Sequence, residues 1–132
     1  MHKIIIGLSL ALFSVVATAE PVYLDCELFN SESEKSVFSV KLDEDNGKVT
    51  HSTANGYGLN AEGFFKVDEI SYQQISVFSG IKMTQRWTIS RIDLSASKVT
   101  EMVSIEFPDK IKPEILTMEG ACKMVKVKSR QF

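Results

Sequence analysis

Ile70-Ser71-Tyr72-Gln73-Gln74-Ile75-Ser76-Val77-Phe78-Ser79-Gly80-Ile81-Lys82-Met83-Thr84-Gln85-Arg86-Trp87-Thr88-Ile89 is the stretch that decides the fold. Its apolar residues follow a period of two on either side of Ser79-Gly80, a dipeptide suited to a tight turn. A two-residue turn there sets Ile70 opposite Ile89, Tyr72 opposite Trp87 and Phe78 opposite Ile81, all apolar cross-strand pairs. Slipping the register by one residue would carry those side chains to the wrong face. The stretch is therefore read as a β-hairpin with one face in the core.

Working downstream, a three-residue turn at Ser95-Ala96-Ser97 extends the pattern, pairing Ile89 with Val103 and Trp87 with Ile105. The same register brings Arg91 to face Glu101 on a largely apolar side. That pair has two readings: a polar anchor in a ligand cavity that Tyr72 and Trp87 would line, or a salt bridge at the rim of the core with the arginine head wet. Pro108 and Pro113 lack amide protons and end the strand. A last strand from about Met118 to Lys128 contains Cys122.

Upstream, Val22 to Phe29 places Val22, Leu24, Cys26 and Leu28 on one side and Asp25 and Glu27 on the other, as a half-buried strand does. Ser36 to Asp43 repeats the alternation, Asn46-Gly47 supplies a hairpin turn, and Lys48 to Thr53 returns. Ala54 to Gly63 is rich in glycine and asparagine and reads as a loop; Phe64 to Val67 resumes strand character. The fold expected is all-β: a single antiparallel meander of about eight strands, forming a closed or strongly curved barrel-like sheet. An exposed edge near Lys66 or at the terminal strands is a place for a second copy to dock.

Composition agrees with one globular domain. Of 132 residues, 44% are hydrophobic and 24% charged, with a net charge of −2, which argues against disorder and coiled coils. Residues 1–19 read as a signal peptide: Lys3, the apolar run Ile4 to Val16, then Ala17-Thr18-Ala19 before the expected cut. The run is broken by Ser9 and Ser14 and is short for a retained span. Residues 20–132 are then one exported β domain, periplasmic or secreted, with no stable membrane anchor. In such a compartment the only two cysteines of the mature chain, Cys26 and Cys122, pair. A bridge closing so long a loop contributes roughly 4 to 5 kcal/mol in the chain-entropy model.

Catalytic patterns are mostly missing. His2 leaves with the signal, so His51 is the one histidine of the mature chain; it falls on the core face with Val40 and Leu42, as a partly buried imidazole holding one hydrogen bond. There is no Gly-x-Ser-x-Gly elbow, phosphate loop or dinucleotide fingerprint. A non-enzymatic protein with no metal and no cofactor is expected. Charge runs from acidic at Glu20–Asn46 to basic at Asp109–Phe132, but Lys123, Lys126, Lys128 and Arg130 lack interleaved aromatics, so no nucleic-acid partner is expected.

Recognition is expected in the loop Ser52-Thr53-Ala54-Asn55-Gly56-Tyr57, where Tyr57 is an amphipathic anchor on a rigid β scaffold. This loop, the first strand Tyr23-Leu24-Asp25-Cys26 and the late Cys122 resemble small exported bacterial envelope proteins that inhibit C-type lysozyme. The resemblance covers a few positions only, and that family's C-terminal Trp-x-Lys-Gly-type segment is missing here. It implies a β barrel-like fold, a muramidase as protein partner, and contact through Ser52 and Tyr57. The rival expectation is a carrier of a small apolar or amphipathic ligand in the barrel interior.

Overall fold

The computed structural model describes residues 20–126. They form nine strands: β1 Val22–Phe29, β2 Lys35–Asp43, β3 Lys48–Thr53, β4 Gly58–Glu62, β5 Phe64–Phe65, β6 Glu69–Phe78, β7 Ile81–Ser90, β8 Ser95–Ser104 and β9 Glu114–Met124. There is no helix among the described residues. The expected signal peptide, Lys128 and Arg130 lie outside them.

The deciding hairpin is formed as its pattern requires. Ser79 and Gly80 both take positive φ, 48° and 74°, the conformation of the primed turns whose twist matches paired strands. Ile70 faces Ile89, Tyr72 faces Trp87 and Phe78 faces Ile81. The strand order is β4-β3-β2-β1-β9-β8-β7-β6-β5, every neighbouring pair antiparallel. The sheet is all-β, nearly closed and barrel-like.

The two ends of that order, β4 and β5, are neighbours in sequence, separated only by Gly63. Successive antiparallel pairings make them run in the same direction, so they are one strand bent at Gly63 that serves β3 with its first part and β6 with its second. This reconciles nine strands with the expected meander of eight. A Cβ at Gly63 would lie 2.6 Å from the Phe65 ring and 2.8 Å from Val49, so the bend needs glycine with an aromatic ring laid over it. The expected loop 54–63 is thus half strand, because Leu59 and Ala61 turn inward onto the core.

The β7–β8 register differs from expectation. The reversal occurs at Arg91–Leu94, with Leu94 at φ 61° and its amide bonded to Ser90 O at 3.1 Å. Ser90 Oγ accepts from the amides of Ile92 and Asp93, and Asp93 accepts from the Ser95 amide and hydroxyl. These side-chain bonds fix the turn, and Ile89 faces Ala96 while Trp87 faces Lys98. The offset from the expected register is odd, so the β8 faces exchange: Glu101 points outward opposite Thr84.

Cys26 and Cys122 are direct partners in the β1–β9 ladder and form a disulfide. The terminal strands therefore pair with each other and offer no free edge at this junction. Gly120 permits the close approach of β9, since a Cβ there would meet Glu27 O at 1.9 Å. Leu24, Leu28, Val40, Val49 and Ile89 fill one part of the interior. Four rings fill the centre: Phe38 stacks on His51 at 4.5 Å, His51 meets Trp87 at 4.7 Å, and Trp87 stacks on Tyr72 at 5.1 Å.

Candidate functional site

A turn between β3 and β4 builds one mouth of the barrel. Thr53 N donates to Tyr57 O at 2.9 Å, Gly56 N to Thr53 O at 3.1 Å, and Gly56 takes a φ of 89°, a conformation for which glycine carries no steric cost. The Asn55 carboxamide oxygen accepts from the Thr53 hydroxyl and, at 3.3 Å, from the Tyr57 amide. Tyr57 Oη then donates to Gln74 Oε1 at 2.6 Å on β6. The loop is tied across its base by Thr53 and Tyr57 and to β6 by the Tyr57 side chain, while Tyr57 remains 45% exposed.

Beside this loop lies a cleft of about 410 Å³, within the size range of small-ligand sites, with Thr53, Asn55, Tyr57 and Gln74 on its walls and His51, Met83, Trp87 and Lys98 deeper. Alternation along β3 decides membership: His51 and Thr53 turn inward, and Ser52 between them is exposed on the outer face. A larger groove of about 620 Å³ runs over the disulfide, bounded by outward strand residues such as Asp25, Glu27 and Ser39. It gathers no tied loop and no buried polar group.

The chemistry of the deeper wall is set by burial. His51 is 3% exposed, and its Nδ1 shares a 2.7 Å hydrogen bond with Tyr72 Oη. Burial, and secondarily the charge of Lys98, push the imidazole down to about 4, so it is neutral at physiological pH. Burial likewise pushes the Tyr72 phenol above its ordinary value, leaving a neutral hydroxyl as partner. The Lys98 ammonium sits 5.6 Å from the Trp87 ring centroid, a cation–π contact, and burial lowers its pKa. Among the described residues Lys98 has no salt bridge. Among the described residues it is the one charged side chain lining the cleft, and none of them brings a carboxylate to it.

The residues expected to matter are thus divided. Thr53, Asn55, Tyr57 and Trp87 share the cleft, and Tyr72 lies under it. Gly56 shapes the loop. Arg91 and Glu101 do not meet: Arg91 sits at the opposite mouth, holding Glu44 with two hydrogen bonds of 2.8 and 2.9 Å and Lys66 O with a third of 2.9 Å. The Arg91 hydrogen bond keeps the Glu44 carboxyl below its ordinary range. Beneath this pair is a smaller, mainly apolar cleft of about 250 Å³ among Leu24, Leu42, Phe65, Ile70 and Met124.

Lys98 and Gln74 were not singled out from sequence. Lys98 becomes visible only when the turn is placed by the hydrogen-bonding side chains Ser90 and Asp93, which sets it against Trp87. Among the described residues no group of three or more His, Cys, Asp or Glu side chains is arranged to hold a metal ion. Comparison with protein-family models, curated proteins and solved structures returned no match.

Proposed function

We propose that this chain is a non-enzymatic exported binding module of the bacterial envelope, most specifically a periplasmic inhibitor or immunity protein against a cell-wall hydrolase such as a muramidase. The disulfide is consistent with an oxidising exported compartment. One observation carries the reading: an exposed tyrosine on a doubly tied loop stands at the lip of a cleft to which the described residues bring one positive charge and no negative one. Glycoside hydrolases work with paired carboxylates flanking the scissile bond. A rigid rim with an aromatic anchor and a cation behind it complements such a cleft in shape and charge.

The test is calorimetric titration of the oxidised protein against a panel of muramidases, with peptidoglycan lysis followed in parallel. The reading predicts a complex that blocks lysis and whose affinity falls at least about tenfold in Tyr57→Ala, the loss expected of an interface anchor. Absence of a complex with every muramidase of the panel overturns it.

A second reading, carriage of a small apolar ligand, is supported by the apolar cleft under Arg91 and Glu44. The four central rings fill the barrel interior, so the ligand would sit at that mouth. Native mass spectrometry of protein captured gently from its envelope separates the two readings: an added mass of a few hundred daltons supports the carrier, a protein-sized addition the inhibitor.

A further inference from the structure

The hydrogen bonds that tie the Tyr57 loop leave the polar wall of its cleft with a surplus of donors. A side-chain carboxamide carries an oxygen with two acceptor sites and a nitrogen with two N–H donors. The Asn55 oxygen is taken by the Thr53 hydroxyl and the Tyr57 amide, so both of its acceptor sites are filled. The Gln74 oxygen accepts from Tyr57 Oη. In each residue the NH2 group is the part left for a guest. Lys98 adds three further donors and a full charge, with its Nζ 5.6 Å from the Trp87 ring centroid.

That charge lacks a counter-ion among the described residues. A half-buried cation is costly when unpaired, and burial already lowers the Lys98 pKa; a carboxylate entering the cleft would supply the missing partner through a charge-assisted hydrogen bond. One positive charge balances a monoanion and leaves a phosphate dianion half-compensated. The volume of about 410 Å³ is far more than a bare inorganic ion fills, so the anion needs an organic body. Ser36, Ser76 and Gln85 continue the polar wall, while the exposed part of the Tyr57 ring gives an apolar face. A compact body with hydroxyl groups on its edges and C–H groups on its faces suits both.

We propose that this cleft is a binding site for a small hydroxylated monocarboxylate of the sugar-acid class, its carboxylate on Lys98 Nζ and its hydroxyl oxygens accepting from the NH2 groups of Asn55 and Gln74. His51 and Tyr72, bonded to each other, form a neutral floor beneath it. The inference does not rest on the hydrolase reading, and its test contains no hydrolase. It is also separate from the carrier reading, whose apolar cleft lies at the opposite mouth.

Titration of the oxidised protein with glucuronate, glucose and glucosamine in a low-salt buffer free of carboxylates, followed by NMR, tests it. The three share a pyranose ring and differ in charge. Glucuronate is expected to saturate with a dissociation constant of about 1 mM or tighter, to move the Trp87 indole and the Asn55 and Gln74 side-chain amide signals, and to weaken as salt is added. Glucose should bind at least about tenfold more weakly, the difference that one hydrogen bond to a charged group makes, and glucosamine more weakly still. Lys98→Met, and Gln85→Glu, which brings a carboxylate into the wall, should each lose at least about tenfold in glucuronate affinity. Lys82→Met, which removes an exposed lysine of β7 outside the cleft, should lose none. No saturation by about 10 mM glucuronate overturns the proposal, as do equal affinity for glucose, full affinity in Lys98→Met, or shifts confined to residues outside the cleft. Should Lys98→Met misfold, the wild-type protein decides: a preference for glucuronate over glucose with shifts at Trp87, Asn55 and Gln74 upholds the proposal, and its absence overturns it.

Discussion

Tyr57 Oη and Gln74 Oε1 form a 2.6 Å hydrogen bond across the seam at which the sheet fails to close, joining the turn after β3 to the unpaired stretch of β6. Backbone pairing is missing there, and a side-chain clasp stands in its place.

Tyr57→Phe keeps the ring and removes the clasp. The expected cost to global stability is small, about 1 kcal/mol or less, because both partners can be hydrated when apart. Local opening should change more: amide exchange of Thr53 and Gly56, which close the loop, is expected to accelerate while that of Val40 in the core does not. Residue-resolved exchange measures both.

Acid should weaken the fold through His51. Its ordinary value of 6.5 falls to about 4 in the folded protein, so between those values the unfolded chain binds the proton that the folded chain refuses. Stability is thus complete above pH 6.5 and declines as pH falls towards 4, by about 3 kcal/mol as an order of magnitude. Glu44 and Asp93, both held below their ordinary 4.5 and 3.8, add further loss in stronger acid as they are protonated. Urea unfolding from pH 7 to 4 is expected to show this slope, and His51→Phe to flatten it.

Lys98→Met replaces a half-buried cation with an apolar chain of similar length. Folding stability should hold or rise, since the unpaired charge contributes desolvation without a compensating ion pair. The His51 pKa should rise, because the Lys98 charge is one cause of its depression. Titration of the imidazole by NMR reads this directly. An unmoved His51 would mean that the two side chains do not share the cleft.

Two glycines should resist substitution to different degrees. At Gly63 the added methyl meets the Phe65 and Val49 side chains, which can shift, and the expected cost is about 1 to 3 kcal/mol. At Gly120 it meets the backbone of β1, which cannot move without breaking the ladder, so Gly120→Ala should cost more. Thermal melts of the two variants rank them.

The fold was legible where side-chain pattern governs and obscure where turn geometry does. The hairpin around Ser79-Gly80, the core strand of Cys26 and the inward His51 all follow from alternation, because a period of two allows a single choice of face. At Arg91–Leu94 an isolated Asp93 and a serine hydroxyl outweigh the more turn-like Ser95-Ala96-Ser97. That local chemistry moved Lys98 to the site and Glu101 away from it. Gly58 to Glu62 looked like a loop because its residues have poor β propensity; two inward side chains, Leu59 and Ala61, hold it in the sheet. Tyr57 was readable as an exposed aromatic among glycines, but its clasp to Gln74 joins positions far apart in sequence, which only the curvature of the sheet brings together.

The bond between Cys26 and Cys122 has a last consequence, for resistance to attack by proteases. The chain walks once around the wall from β1 to β9, stepping over the seam at Gly63, and the sulfurs tie its two ends. Covalent bonds therefore make a full hoop. A single cut at any exposed turn, whether beside Tyr57 or at the Pro108–Pro113 connection, opens that hoop without releasing either piece. A nicked molecule should keep its strands in register and migrate as one species until a reductant is added, so that shedding half of the barrel takes two events where an unbridged chain would need one.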